Sequence, residues 1–204
     1  SNPLNVSQVT YTQPVRSVAF SPDSNYALTV SRDKTARLWD IRDPQNIFQV
    51  GPNLKHGDYV NSVAFSPDGK RLATGSTAGL ADGNFTGTVQ IWNVSDGTMI
   101  RDLKINSPVG SVAFSPDGQR LATGSEIRLT DGNFTGTAQI WNVSDGTMVR
   151  DLNINSPIRS VAFSTDGQFL ATGLKVSNGK VQIWNVSDGT LVRDININKN
   201  VKSV

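Results

Sequence analysis

The sequence predicts an all-β protein assembled from repeated four-stranded sheets, and three observations support that prediction. The phrase SVAFSPDG, or a close variant of it, occurs four times in the 204 residues. Each copy is followed by an equivalent tryptophan, and together these are all four tryptophans of the chain: Trp39, Trp92, Trp141 and Trp184. No segment shows the 3.6-residue period of a helix. Self-similarity with short strands at a fixed interval is typical of radially repeated small sheets.

The repeat length is set by the serines that begin these phrases. They lie 45, 49 and 49 residues apart, at Ser17, Ser62, Ser111 and Ser160. The second and third copies are nearly identical, which indicates a recent internal duplication.

Within one repeat, here the third, four short strands follow in order. VGSVAFS is the first strand, and it ends at SPDG, where proline, aspartate and glycine favour a turn. QRLATGS is the second strand, and GTAQIWNV is the third. SDGT is a hairpin turn of the Asp-Gly kind, and MVRDLNI is the fourth strand.

These residues resemble the WD-repeat family of β-propellers. The pattern SVAFSPDG…LATGS…TVQIWNV is highly specific at this length, and SRDKTARLWD at 31–40 is the closest single match. The resemblance implies blades of four antiparallel strands around a channel, with strand a lining the channel and strand d at the rim. It places the blades at about 14–50, 59–105, 108–154 and 157–196. In the first blade it places the strands near 15–21, 26–31, 35–41 and 46–50. One sheet cannot bury both of its apolar faces, so each blade must pack on a neighbour.

The resemblance also implies a hydrogen-bonded set in each blade: a histidine before strand a, a serine ending strand b, an aspartate in the b–c turn, and the tryptophan. No blade has the full set in register. Besides the tryptophans, the implied structural residues are His56, Ser31, Asp33, Ser76 and Ser125. Asp82 lies in a lengthened turn, and Leu174 and Asn178 replace the serine and aspartate of blade 4. His56 is the only histidine, and we expect a structural role because a metal site needs several converging ligands.

Both ends of the sequence fall in phase with the repeat. Residues 1–13 align with a strand d, through Val6, Val9 and Tyr11, and residues 197–204 align with the start of a fifth repeat. Three arrangements remain open: an arc of a larger propeller, a ring completed by association of copies, and a self-contained ring of four blades. An open arc would leave blade edges that seek partners, so self-association is expected there.

Composition and charge argue against several functional classes. The net charge is +2 with its basic residues dispersed, unlike the basic stripe of a nucleic-acid-binding protein. No apolar run reaches the roughly 18 residues of a transmembrane helix, and residues 1–20 do not resemble a signal peptide. The absence of cysteine excludes disulfides and suits a reducing compartment. We therefore expect a cytoplasmic chain that binds neither nucleic acid nor membranes.

We also expect no catalytic, cofactor-binding or metal-binding site. The aspartates fall mostly in SPDG and SDG turns, where their structural role is evident. There is no thiol, no serine–histidine set and no glycine-rich phosphate loop that opens a helix.

The sequence instead favours a non-enzymatic scaffold or sensor for a protein or peptide partner, or a piece of a larger signalling protein. The long b–c turns at 76–88 and 125–137 carry phenylalanines, and the residue before each SVAF phrase varies while its surroundings repeat. The candidate partner-binding residues are Arg16, Phe85, Arg128, Phe134 and Arg159.

Other interpretations of the same features stay open. The variable residues are equally consistent with drift at exposed sites, and the phenylalanines with small local cores beneath their own loops. A propeller with a small-molecule or carbohydrate site, or a chain that mainly self-assembles, is the alternative function.

Overall fold

The computed structural model describes residues 11–80, 85–129, 131–176 and 179–197, and its regular structure in these ranges is entirely β. Four antiparallel four-stranded sheets follow one another along the chain, which confirms the predicted fold class. None of the described segments forms a helix with the length and hydropathy needed to cross a bilayer. The predicted strand at 1–13 lies almost wholly outside these ranges, as do Asp82, Asn178 and all but the first residue of 197–204.

The sheets, here numbered blades 1 to 4, pair their strands in chain order. Blade 1 contains β1 (Val15–Phe20), β2 (Tyr26–Ser31), β3 (Thr35–Asp40) and β4 (Phe48–Lys55). Blade 2 contains β5 (Tyr59–Phe65), β6 (Arg71–Gly79), β7 (Phe85–Asn93) and β8 (Met99–Ile105). Blade 3 contains β9 (Val109–Phe114), β10 (Arg120–Ser125), β13 (Ala138–Asn142) and β14 (Met148–Asp151). Blade 4 contains β15 (Ile158–Phe163), β16 (Phe169–Leu174), β17 (Lys180–Asn185) and β18 (Leu191–Asn196). A separate hairpin of β11 (Ile127–Arg128) and β12 (Phe134–Thr135) stands in the long turn of blade 3.

The SPDG phrases form the tight turns between the first and second strands. In blade 2 the Ser66 hydroxyl donates to Asp68 at 2.5 Å, and Gly69 takes a φ of +68°. Bonds from the Ser66 hydroxyl and the Lys70 amide hold the pKa of Asp68 below its ordinary value. The turn aspartates therefore stabilise the local backbone geometry.

Strand β4 differs from the prediction because it continues to Lys55 instead of ending near residue 50. Gly51 has a φ of +68°, and Pro52 has no N–H to donate to the ladder. These residues bulge outward between the pairs that Val50 and Leu54 form with β3, and regular pairing resumes after them. The strand is interrupted, not terminated.

Three apolar cores lie between successive blades, as expected for sheets that cannot bury both faces alone. The first core, between blades 1 and 2, includes Leu28, Leu38, Val60, Leu72 and Trp92. The second, between blades 2 and 3, includes Val89, Ile91, Val109, Leu121 and Val143. The third, between blades 3 and 4, includes Ile140, Leu152, Ile158, Leu170 and Leu174.

The four blades form an open arc, because the outer face of each end blade is uncovered. In blade 1, Val18 is 61% exposed and Phe20 is 67% exposed, whereas the equivalent Val63 of blade 2 is 7% exposed. In blade 4, Val192 and Ile195 are 52% and 42% exposed. The described residues therefore do not close into a four-bladed ring.

Candidate interaction site

The first strands of the blades lie side by side along the inner edge of the arc. Two equivalent bonds join neighbouring first strands: the Val112 amide donates to the Ser62 hydroxyl, and the Val161 amide donates to the Ser111 hydroxyl, each at 3.1 Å. The serine of the SVAF phrase therefore ties one blade to the next.

Each of these inner strands contains a β-bulge at an equivalent position. In blade 1, Val15 and Ser17 pair with Ser31 and Val30, which leaves Arg16 without a partner in the ladder. The unpaired residues of the four bulges are Arg16, Asn61, Gly110 and Arg159. A bulge bends its strand and redirects the side chain of the extra residue. These are the residues that vary from copy to copy while their surroundings repeat.

All four bulge residues line one cavity of about 600 Å³, here called the mouth cavity. It opens where the turns between second and third strands emerge. Its other lining residues are Thr77, Phe85, Pro108, Glu126, Arg128, Phe134 and Ile158. The structure thus brings all five predicted partner-binding residues into a single concave site.

The mouth cavity is positively charged. Within the described parts of the chain, Arg16, Arg128 and Arg159 make no ion pair or side-chain hydrogen bond, and all three are exposed. Glu126, the one carboxylate among the described lining residues, is held by Lys175 of blade 4, whose Nζ lies 2.6 Å from Glu126 Oε1. Three guanidinium groups of this cavity therefore have no partner among the described residues.

Two phenylalanines supply the apolar part of the site. Phe85 and Phe134 are 51% and 44% exposed, so neither is enclosed beneath its own loop. Phe134 pairs with Arg128 across the β11–β12 hairpin, and the Lys175 ammonium lies 4.7 Å from the centre of its ring. The hairpin presents an aromatic ring and a guanidinium side by side.

The remaining two bulge residues shape the space between the arginines. The side-chain amide of Asn61 donates to the Thr77 hydroxyl at 2.8 Å and to the Val109 carbonyl at 3.2 Å, which links blades 2 and 3. At Gly110, a Cβ atom would meet nothing closer than a backbone oxygen 4.0 Å away. The missing side chain leaves open volume that a larger residue could fill.

The predicted structural histidine packs beside Trp92 of the first core, with their ring centres 5.4 Å apart. His56 is 8% exposed, with Nδ1 3.0 Å from the Leu54 carbonyl and Nε2 2.7 Å from the Thr74 hydroxyl. Burial lowers its pKa from an ordinary 6.5 to about 4. The imidazole is therefore neutral at pH 7, and both of its nitrogens have partners inside the protein.

The tryptophans donate to a threonine of the second strand, a partner that the sequence analysis missed. Trp92 Nε1 lies 3.2 Å from the Thr74 hydroxyl. The equivalent pairs are Trp39–Thr29, Trp141–Thr123 and Trp184–Thr172. The available signal was the threonine of TVS, ATGS and ATGL, which recurs in every repeat.

The predicted structural serines bond mainly to the second and third strands of their own blade and to the turn between them, and Ser31 also donates to the Gln13 carbonyl just before the first strand. The Ser31 hydroxyl accepts from the Asp33 amide, and Asp33 in turn accepts from Thr35 and pairs with Arg37. Ser76 bonds the Thr88 hydroxyl at 2.8 Å. In blade 3 the Ser125 hydroxyl donates to the Thr137 carbonyl at 3.1 Å.

Titratable groups show no metal-binding arrangement in the part of the chain that is described. No group of three or more histidine, cysteine, aspartate or glutamate side chains there is placed to hold an ion. Among the described residues that line the mouth cavity, Glu126 is the one carboxylate.

Comparison with known families gives one match that recurs along the chain. The family described as WD domain, G-beta repeat matches residues 5–40, 51–93, 97–142 and 146–185. These segments cover most of the sequence and include all four tryptophans.

Curated relatives match over shorter stretches. The human (Homo sapiens) WD repeat and SOCS box-containing protein 1 is 37% identical over 92 residues, which are 45% of this chain and 20% of the relative. The rat (Rattus norvegicus) apoptotic protease-activating factor 1 is 38% identical over 86 residues, 42% of this chain and 6% of the relative. The maize (Zea mays) guanine nucleotide-binding protein subunit beta is 43% identical over 70 residues, 34% of this chain and 18% of the relative. The chain thus spans a fifth or less of the length of these relatives.

Proposed function

This chain belongs to the WD-repeat family, and from that premise we propose that it is a non-enzymatic protein-interaction module that binds a segment of a partner protein in the mouth cavity. Proteins of this family commonly serve as interaction scaffolds. A rigid stack of sheets that presents turns and bulges at one edge suits that role, because binding residues are held in place before the partner arrives.

The observation that supports this proposal most is the convergence of the four bulge residues. Arg16, Asn61, Gly110 and Arg159 come from four blades, and all line one cavity. Near-identical repeats would present identical surfaces if these positions matched. Their differences give the cavity a chemical asymmetry that a specific ligand can recognise.

A random peptide library displayed on phage and selected against the whole chain tests the proposal. We expect selected peptides to bind the wild-type chain and Gly110→Ala, and to lose affinity for Gly110→Trp. The tryptophan would occupy the cavity, whereas alanine adds a Cβ atom that meets nothing closer than a backbone oxygen 4.0 Å away. Recovery of no peptide, or equal binding by Gly110→Trp that has kept its fold, would show that the cavity is not the binding site.

We propose that this module works in the cytoplasm. The chain has no cysteine, and its stability therefore does not depend on an oxidising compartment. Fractionation of cells that make the native protein would locate it, and recovery from the medium or from membranes would contradict the proposal.

A second candidate function, self-association, is favoured by the uncovered faces of blades 1 and 4. Val18 and Phe20 occupy the positions that Val63 and Phe65 fill in the first core. Ile195 and Ile197 occupy the positions that Leu103 and Ile105 fill in the second core. The two open faces thus carry the two halves of the same interface, and a copy could dock head to tail.

A recurring contact at the rim also supports a neighbour for blade 4. The Arg101 guanidinium donates to the Ser144 carbonyl of the next blade, and Arg150 donates to the Ser187 carbonyl in the same way. Arg193 is the equivalent residue of blade 4, and it is exposed with no such acceptor among the described residues. Light scattering after size exclusion tests this candidate: a defined multiple of the chain mass supports it, and a monomer at high concentration contradicts it.

A further inference from the structure

We propose that the mouth cavity takes an acidic peptide, in which carboxylates are held by Arg16, Arg128 and Arg159 and an adjacent apolar side chain lies against Phe85 and Phe134. This inference rests on the proposed function, because it names the chemistry of the segment that the cavity would bind.

The first step is the charge of the site. Arg16 and Arg159 stand on bulges of blades 1 and 4, and Arg128 stands on the β11–β12 hairpin of blade 3. No described carboxylate neutralises them, since Glu126 is occupied by Lys175. Guanidinium is weakly hydrated and matches a carboxylate with two parallel hydrogen bonds, so these groups favour anionic ligands.

The second step is that the three arginines of the mouth cavity lack the structural partners that four other arginines of this chain have. Arg37 pairs with Asp33 at 2.8 Å, and Arg42 pairs with Asp40. Arg101 and Arg150 donate to backbone carbonyls of the next blade. The three arginines of the mouth cavity make no such bond among the described residues, and two of them are aimed by bulges. The described contacts therefore give these three arginines no structural role, whereas an anionic ligand would give them one.

The third step is the mixed lining, which favours a peptide over a nucleic acid. Pro108, which is partly exposed, extends the apolar surface begun by the two phenylalanines. A volume of about 600 Å³ is in the range of pockets that enclose a small ligand or a few side chains. A polyanion would need a basic stripe along the surface, and the basic residues of this chain are dispersed, with a net charge of +2.

The same phage selection, read for sequence, tests this inference. We expect the recovered peptides to be enriched in aspartate and glutamate next to an aromatic or aliphatic residue. Peptides that are neutral or basic, yet fail on Gly110→Trp, would overturn the acidic inference and leave the proposed function standing. Recovery of no peptide would overturn both.

Charge reversal supplies the residue-level test, measured by fluorescence anisotropy with one recovered peptide. Arg159→Glu and Arg16→Glu should each weaken binding by roughly tenfold or more. Lys70→Glu is the matched control, because Lys70 is exposed in the SPDG turn at the opposite edge of blade 2 and should bind as the wild type does. Replacing the peptide carboxylates with amides should weaken binding by as much as the arginine substitutions do. Equal losses for the control, or tighter binding of a single-stranded oligonucleotide of the same charge, would contradict an acidic peptide ligand.

Discussion

The backbone amide of Val112 donates a 3.1 Å hydrogen bond to the hydroxyl of Ser62, across the boundary between blades 2 and 3. Val161 and Ser111 repeat the same relationship one blade later. The serine of the SVAF phrase thus joins the inner strands of successive blades. This bond recurs with the repeat, as does the apolar core between blades.

The first prediction concerns this bond. Ser62→Ala should lower the free energy of unfolding by roughly 1 to 3 kcal/mol, because a buried amide loses its acceptor. Urea denaturation measures the change, and Ser111→Ala should give a similar value. Ser95→Ala is the control, since Ser95 is exposed and should change stability by less than about 0.5 kcal/mol. A Ser62 variant as stable as the control would mean that the hydroxyl does not hold the blades together.

The second prediction concerns the pH dependence of stability. Burial lowers the pKa of His56 to about 4, so the unfolded chain takes up this proton near pH 6.5 and the folded chain only near pH 4. The contribution of neutral His56 to the free energy of unfolding is therefore complete above pH 6.5 and is lost as the pH falls towards 4. The wild-type chain should lose roughly 2 to 3 kcal/mol of stability from this group between pH 7 and pH 4.5.

The next two repeats indicate which substitution of His56 to use in that experiment. Ile105 and Ile154 occupy the positions equivalent to His56 in the next two repeats, and both are buried. Thr74 would keep its bonds to Trp92 and to a backbone carbonyl. His56→Ile should therefore fold and show a shallower fall in stability between pH 6.5 and pH 4. An unchanged slope would mean that His56 is not the group responsible.

The third prediction contrasts two glycines. A Cβ atom on Gly87 would lie 2.5 Å from the Ser107 carbonyl oxygen and 2.6 Å from that of Ser76, and backbone cannot easily move aside. Gly87→Ala should cost about 2 kcal/mol or more in the free energy of unfolding. Gly110→Ala has open space and should be nearly neutral, as thermal denaturation of both variants would show. Similar melting temperatures for the two would contradict the close approach of the chain at Gly87.

The fourth prediction concerns the open faces. If the chain associates head to tail, Phe20→Glu and Ile195→Glu should each reduce the mass seen by light scattering, because each places a charge in the new core. Phe48→Glu is the control, since Phe48 is 49% exposed on the outermost strand of blade 1 and should leave the mass unchanged. An assembly that survives both end-face variants would have to be held elsewhere.

The repeat made the fold class predictable, because one pattern of strands and turns recurs with its tryptophan in place. The partner of the tryptophan was harder to assign. Thr74 and Ser76 are two residues apart in β6, so their hydroxyl groups lie on the same face of the strand. Only the register decides between them: Trp92 pairs with Leu72, which brings Thr74 within reach as the diagonal neighbour.

The sequence predicted residues that line the mouth cavity, but it did not predict how they are arranged in space. Variation before each SVAF phrase pointed to Arg16 and Arg159, and the long turns pointed to Phe85 and Phe134. That the variable residue is a bulge depends on strand register, which sequence alone does not supply. The link from Glu126 to Lys175 joins turns 49 residues apart, and no local pattern indicated it.

The most direct test of the account is the amide spectrum of the isotope-labelled chain, titrated with a recovered acidic peptide. The account predicts that the resonances that move belong to the four bulge residues and to the β11–β12 hairpin, while those of the outer strands β4, β8, β14 and β18 stay in place. Shifts confined to the outer strands, or spread evenly over the blades, would contradict the assignment of the mouth cavity as the binding site.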